Sequence, residues 1–198
     1  MKPEGIEMLI RQENYFYNIL LQIERLSGQK ADFSDLAEAL ESLSPEDLCS
    51  ENIVIAIPKG LELQVIIEFI EKRFSIEICK EGFLELKNDH INSKNYVIVF
   101  AKDFDSQRIM EDKSYRPMTL LERVLLDTRI FLRFGSHLDA YLSKIPVCTG
   151  SVLWHPKPNR NKWPYMAWNV DAQKCFLDYT KEPQSVFMAE GKVKIFGL

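Results

Sequence analysis

The segment between Thr119 and Gly135 constrains the fold more than any other, because it carries both a start and a stop signal for one long helix. Thr119 and Glu122 have the spacing of a capping box, in which each side chain accepts a hydrogen bond from the other residue's backbone N–H. Glycine is a common residue just after a helix ends. The apolar residues between the two signals are Leu121, Val124, Leu125, Leu126, Phe131 and Leu132. They cover most of the circumference, so we predict a central, largely buried helix.

Helices and strands alternate before this central helix. Apolar residues at three- and four-residue steps predict helices, and short aliphatic runs predict strands. The predicted helices cover residues 4–26, a stretch after Asp32 and about 61–74, with a brief turn opened by Ser44 and Pro45, and the predicted strands cover 52–57, 75–79, 83–86 and 96–101. The run at 52–57 is uninterrupted, which is typical of a strand buried on both faces. It could form a right-handed β-α-β crossover with the next helix and strand.

The residues after the central helix are rich in strand signals. The predicted strands cover 147–154, 165–170, 174–179, 185–189 and 192–196, with a tight turn at Glu190 and Gly191. Between 103 and 117 the pattern lapses, which predicts a linker or a long loop. We therefore predict an α+β fold with N-terminal helices, a small mixed sheet with a crossover helix, a central helix and an antiparallel β-rich C-terminal part. Residues 1–115 and 116–198 are expected to form two packed subdomains of one unit.

Composition favours a globular protein of the cytoplasm. Hydrophobic residues make up 46% of the 198 residues, which is enough for a core without staples. The N-terminus has no basic segment followed by an apolar stretch, and the aliphatic runs are too short to span a membrane. The four cysteines, Cys49, Cys79, Cys148 and Cys175, form no CxxC pair. We expect reduced, buried thiols rather than a disulfide frame.

The net charge of −4 is distributed unevenly. Up to Glu51 the chain has 4 basic and 11 acidic residues, and the rest carries a small positive excess. This balance argues against general nucleic-acid binding, which needs a dominant basic face. The acidic N-terminal helices are expected to be solvated, although they could also mediate self-association into a homo-oligomer.

Candidate catalytic residues are scattered, and none forms a recognisable motif. Cys148, His155 and His137 lack the paired spacing of metal ligands, so neither a metal site nor a cofactor is predicted. His137 and Asp139 could form an acid–base pair, but a short helix capped by Ser136 is the preferred interpretation. An enzyme, hydrolase-like, with a His/Asp/Cys site assembled in space remains the alternative hypothesis.

Two further polar segments predict only structure. Asp103 and Asp105 follow a strand without other oxygen ligands nearby in the sequence, so we expect a solvated loop end. The segment from Pro58 to Gly60 joins a strand to a helix, where phosphate loops occur. It lacks the repeated glycines that let backbone amides surround a phosphate. A plain turn is the preferred interpretation.

The loop between the strands at 147–154 and 165–170 is the best candidate for a binding site. It combines prolines, cations and flanking aromatic residues, which together can stack on a planar group, hold an anion or anchor a protein. The predicted ligand- or partner-binding residues are Trp154, His155, Lys157, Arg160, Lys162, Trp163 and Tyr165. A proline-stiffened surface loop without a ligand is the alternative. We predict a binding or interaction module of unidentified ligand.

Several short words of the second half resemble a family of uncharacterised bacterial proteins. The words are 96–99 (YVIV), 119–123 (TLLER), 135–139 (GSHLD), 148–151 (CTGS), Pro164 and Trp168. The tail of that family is similar to C-type-lectin-like modules, including variable ligand-binding proteins of diversity-generating elements. The resemblance implies a binding face formed by the loop at 154–165 and the strand after it, and it implies no catalytic residue. Val152 stands where the family has arginine, which puts any shared ligand specificity in doubt.

Overall fold

Strands and helices alternate through the first two thirds of the chain, and strands dominate the remainder. The computed structural model describes residues 14–27, 36–49, 52–74, 76–78, 86–88, 94–153, 161–169, 171–172 and 174–197. The helices are α1 (Asn14–Ser27), α2 (Leu36–Glu41), α3 (Leu63–Phe74), α4 (Gln107–Glu111) and α5 (Leu120–Phe134), with a 3-10 helix at Leu138–Tyr141. The strands are β1 (Asn52–Ile57), β2 (Ile76–Ile78), β3 (Leu86–Asn88), β4 (Tyr96–Ala101), β5 (Tyr115–Pro117), β6 (Ile145–Val147), β7 (Ser151–Leu153), β8 (Trp163–Asn169), β9 (Lys174–Thr180), β10 (Met188–Glu190) and β11 (Lys192–Phe196).

A four-stranded antiparallel sheet has the order β1-β4-β11-β5. All six residues of β4 are buried, as expected for an inner strand made of Val, Ile and aromatic residues. The predicted bounds of β1, β4 and β11 are confirmed. The C-terminal strand β11 lies between β4 and β5, which are both far from it in the sequence. The α+β fold predicted from the sequence is confirmed.

A five-stranded mixed sheet has the order β10-β6-β8-β9-β2, and β3 pairs with β7 in a separate ribbon. The outer strands β10 and β2 run parallel to their neighbours, whereas β6, β8 and β9 pair antiparallel. Both larger sheets therefore contain strands from either side of residue 115, where the sequence analysis places a subdomain boundary.

Three local predictions are wrong. The helix α3 leads from β1 to β2, but these strands belong to different sheets, so no β-α-β crossover forms there. The predicted loop at 103–117 contains α4 and β5. The tight turn predicted at Glu190 and Gly191 does not join paired strands, because β10 and β11 lie in different sheets. The Gly191 N–H instead donates to the Val147 carbonyl at 2.8 Å, and its carbonyl accepts from the Met118 N–H at 2.8 Å.

The central helix α5 follows its sequence signals closely. The Thr119 N–H donates to Glu122 Oε2 at 2.7 Å, and Gly135 has the left-handed conformation with φ of 68°. The helix contacts α1 and α3 as well as strands β1 and β8, which places it between the two larger sheets. Its buried side chains include Glu122, Arg123 and Asp127 beside the expected aliphatic residues. Those buried charges lead to the candidate site.

Two predictions extend beyond the described residues. The predicted N-terminal helix begins at residue 4, whereas the description of α1 starts at Asn14. Of the cysteines expected to be buried, Cys148 and Cys175 are buried, Cys49 is exposed, and Cys79 lies outside the described residues. Within the described residues, no helix is long and apolar enough to span a membrane.

Candidate functional site

A cluster of buried charged side chains lies between α5 and strand β8. At its centre is Arg123, whose side chain is 0% exposed. Its guanidinium donates from Nη1 to Asp127 Oδ1 at 3.2 Å and from Nη2 to Asp139 Oδ1 at 2.6 Å. A third hydrogen bond runs from Nη2 to the Met166 carbonyl of β8 at 3.2 Å. One cation thus joins the helix, the 3-10 helix and the sheet.

Asp127 is the second member of this cluster, one helical turn after Arg123. Its Oδ1 also accepts a hydrogen bond from the Leu138 N–H at 2.9 Å, and its Oδ2 lies 2.6 Å from Nδ1 of His137. Asp139 completes the set, since its Oδ2 accepts from the Trp168 N–H at 2.9 Å. The carboxylates therefore fix both the turn after α5 and the backbone of β8.

The His137 ring is held by aromatic neighbours on two sides. It stacks on Trp168 at 4.4 Å between ring centroids and lies 4.8 Å from the Phe131 ring. No described residue makes a hydrogen bond to His137 Nε2, although the residue is only 3% exposed. The thiol of Cys175 on β9 lies near both His137 and Asp127, with one donor atom of each residue within 4.8 Å of the others.

Burial and the charge of Arg123 shift the pKa values of the carboxyl groups in this cluster in opposite directions. Burial raises the pKa of Asp127, but the hydrogen bond from His137 and the charge of Arg123 outweigh it and hold that pKa below its usual value. Burial keeps the pKa of Asp139 above its usual value despite the nearby guanidinium. Burial raises the pKa of the Cys148 thiol to about 12, and that of the Cys175 thiol is raised as well. Burial thus favours the protonated form of both thiols.

The candidate acid–base residues come together in a different pairing from the predicted one. His137 pairs with Asp127, ten residues upstream, while Asp139 binds Arg123. The 3-10 helix begins after His137 rather than Ser136, and no side chain caps it. Cys148 is buried near Arg123, and the charge of the guanidinium acts on the Cys148 thiol. His155 lies outside the described residues.

No sequence pattern assigned a role in a site to Arg123, Asp127, Trp168 or Cys175. An available signal was the pair Arg123 and Asp127, two opposite charges four residues apart on a helix that is otherwise apolar. Such spacing is common on solvated helices. Only the position of α5 between the two sheets shows that these charges are buried.

The other two polar segments have structural contacts. Asp103 lies 3.3 Å from Nη2 of Arg108, and Asp105 lies 3.4 Å from Nζ of Lys144. At the turn after β1, Gly60 has φ of 79°, and the Lys59 N–H donates to Asn95 Oδ1 at 2.7 Å. That amide is therefore already used within the protein, as expected for a plain turn.

The predicted binding residues fall partly within the described chain. Trp154, His155, Lys157 and Arg160 lie outside the described residues. Lys162 is exposed, and its backbone pairs with Leu153 through hydrogen bonds of 2.9 and 3.3 Å. Trp163 belongs to strand β8 instead of the loop, because this strand starts two residues earlier than predicted, and Tyr165 lies in the strand as predicted.

Three aromatic side chains lie on one face of strands β8 and β9. Trp163 and Tyr165 alternate along β8 with the buried Pro164 and Met166, and both are partly exposed. On β9, Phe176 is also partly exposed and pairs with Ala167 in register. Trp163, Tyr165, Ala167 and Phe176 define what we call the aromatic face. The charged cluster lies against the opposite face of the same strands.

Comparisons with protein-family models, with curated proteins and with solved structures found no match for this chain.

Proposed function

We propose that this chain is a binding module whose ligand or protein partner contacts the aromatic face and the loop before it. The observation that carries the proposal is the common orientation of Trp163, Tyr165 and Phe176, which are partly exposed on one face of adjacent strands. Aromatic side chains supply a large contact area with few rotatable bonds, which makes them frequent anchors of binding surfaces.

Rigid support behind the aromatic face favours this function. The strand β8 is held from behind by the hydrogen bond from Arg123 to the Met166 carbonyl and by the one from Trp168 to Asp139. A surface that is already ordered loses less entropy when it binds, so more of the contact energy is available for affinity.

The charges beside the aromatic face suggest the type of group it would bind. Lys162 precedes β8 and Lys174 is exposed at the start of β9, whereas the exposed Asp178 of β9 pairs in register with Tyr165. The predicted loop adds His155, Lys157 and Arg160 by sequence. Aromatic rings next to cations suit a ligand that combines a planar or apolar part with an anionic group.

A screen of ligands by thermal shift, together with pull-down of protein partners, tests this proposal. The test variant carries Trp163→Ala and Tyr165→Ala, and the control carries Phe134→Ala and Tyr141→Ala, an exposed aromatic pair whose ring centroids lie 5.8 Å apart near the end of α5. We expect interactions of the wild-type protein to be lost in the test variant and kept in the control, because binding stabilises only a protein that retains its site. An identical set of interactions for both variants would contradict the proposal.

An enzyme of hydrolase type is the second candidate, because the structure brings Asp127, His137 and Cys175 within reach of one another. A thiol nucleophile in this place would have to react with iodoacetamide in the native state near neutral pH. Rapid alkylation of Cys175, lost in His137→Gln, would favour the enzyme. Protection of Cys175 until the protein unfolds would leave the binding module as the better account.

A further inference from the structure

We infer that Asp127, His137 and Cys175 form a binding site for a divalent metal ion of the zinc class. One carboxylate oxygen, one ring nitrogen and the thiol sulfur lie within 4.8 Å of one another. All three residues are buried, and they come from helix α5, the turn after it and strand β9. Three donors that are distant in sequence therefore converge on one point of the interior.

The donor set suits zinc better than the harder cations. Sulfur and imidazole nitrogen are preferred by Zn²⁺ and Co²⁺, whereas Ca²⁺ and Mg²⁺ select oxygen ligands. Tetrahedral Zn²⁺, bound at about 2.0–2.3 Å from each donor, needs donors about 3.5 Å apart. No donor pair is more than 4.8 Å apart, and Asp127 Oδ2 lies 2.6 Å from His137 Nδ1, so a bound ion would replace the hydrogen bond between these two residues. Three protein donors leave the fourth position for a solvent molecule.

Neighbouring groups already orient two of the three ligands. The hydrogen bonds from Arg123 and from the Leu138 N–H hold Asp127 Oδ1, while Asp127 Oδ2 is hydrogen-bonded to Nδ1 of His137. The imidazole ring is fixed by stacking on Trp168. Partners of this kind set the orientation of metal ligands and raise affinity.

Titration of the metal-free full-length protein with Co²⁺ tests the site. Co²⁺ bound to a thiolate gives a near-ultraviolet charge-transfer band, which ligands without sulfur do not produce. We expect one equivalent of Co²⁺ to give this band, stoichiometric Zn²⁺ to abolish it, and Zn²⁺ binding to release protons from the thiol. Absence of the band at one equivalent would overturn the inference.

Substitutions identify which cysteine is responsible. In Cys175→Ser the band should disappear. Zn²⁺ affinity should also fall, and by more than the loss of about 10- to 100-fold that follows removal of a residue that only orients a metal ligand. The matched control is Cys49→Ser, an exposed thiol whose loss should change nothing. A band that persists in Cys175→Ser, or that vanishes in Cys49→Ser, would assign the metal to an adventitious thiol and contradict the site.

A further variant keeps the test decisive if Cys175→Ser does not fold. In Cys49→Ser/Cys79→Ser, every remaining thiol is buried among the described residues. The charge-transfer band should persist in this variant and disappear when His137→Gln is added. Loss of the band in the double variant would overturn the inference.

Discussion

The two larger sheets use opposite kinds of contact in the core that surrounds α5. The four-stranded sheet buries an apolar strand, β4, whose six residues are all inaccessible to solvent. The five-stranded sheet also buries apolar residues such as Met166 and Leu177, but its strand β8 is bound in addition by Arg123 of α5 and by Asp139 of the 3-10 helix. Apolar contacts are non-directional, whereas charged hydrogen bonds require one geometry. The contacts of the first sheet are thus mainly apolar, whereas β8 of the second sheet is held in addition by directional hydrogen bonds.

The largest expected effect comes from Arg123→Met, which removes the cation and leaves Asp127 and Asp139 buried without it. Loss of one partner of a buried ion pair costs about 3–5 kcal/mol. We expect a loss of that size in the free energy of unfolding, measured with urea at pH 7.

A double-mutant cycle distinguishes a network from a simple loss of packing. Addition of Asp139→Asn to Arg123→Met should cost less than it does in the wild-type protein, because the unpaired carboxylate is removed. Strictly additive losses would mean that Arg123 acts only by filling space.

Gly150→Ala tests the junction between the two larger sheets, where the turn after β6 meets the end of β5. We expect it to lower the free energy of unfolding by about 1–3 kcal/mol, as overpacking commonly does. A Cβ at this position would lie 2.6 Å from the Pro117 carbonyl oxygen, a backbone atom that cannot rotate away. The control is Gly135→Asn, since a Cβ there meets nothing within 4 Å and asparagine tolerates the left-handed conformation. Equal urea midpoints for the two variants would show that the junction relaxes easily.

In the apolar sheet we expect a graded response. Ile98 on β4 is fully buried and pairs with Ile55 and Ile195, so Ile98→Val should cost about 0.5–1.5 kcal/mol for one methylene. The same unfolding assay measures it. A loss as large as that of Arg123→Met would remove the contrast between the sheets.

The smallest effect is expected from the ion pair of Asp47 and Lys194, which joins the segment before β1 to strand β11 at a distance of 2.8 Å. Burial raises the pKa of Asp47, but hydrogen bonds from Lys194 and Ser44 outweigh it and leave the pKa lowered. Its contribution to stability is therefore present above the unfolded pKa of about 3.9 and is lost as pH falls through the lower folded value. Asp47→Asn should therefore flatten the dependence of the free energy of unfolding on pH below pH 4. An unchanged slope would show that this ion pair does not stabilise the folded state.

The contrast between the sheets also explains which features could be predicted from sequence. The strands β1 and β4 are continuous aliphatic runs, and the capping residues Thr119 and Gly135 act within a few residues, so local patterns identified them. These local patterns were also sufficient to predict the α+β fold class.

Long-range features could not be predicted in the same way. The insertion of β11 between β4 and β5 depends on contacts across the whole chain. The pairing of His137 with Asp127 depends on how the turn after α5 folds back on the helix. The binding function of the loop at 154–165 stays a prediction.

Amide hydrogen exchange at Trp168 tests most directly whether the charged cluster fixes the strand beneath the aromatic face. The Trp168 N–H donates to Asp139 Oδ2, so Asp139→Ala removes its acceptor. We predict that Trp168 and its neighbours in β8 lose more protection than the variant loses in global stability, while amides of β4 lose only the global amount. Equal losses in both strands would contradict a cluster that holds β8 in place.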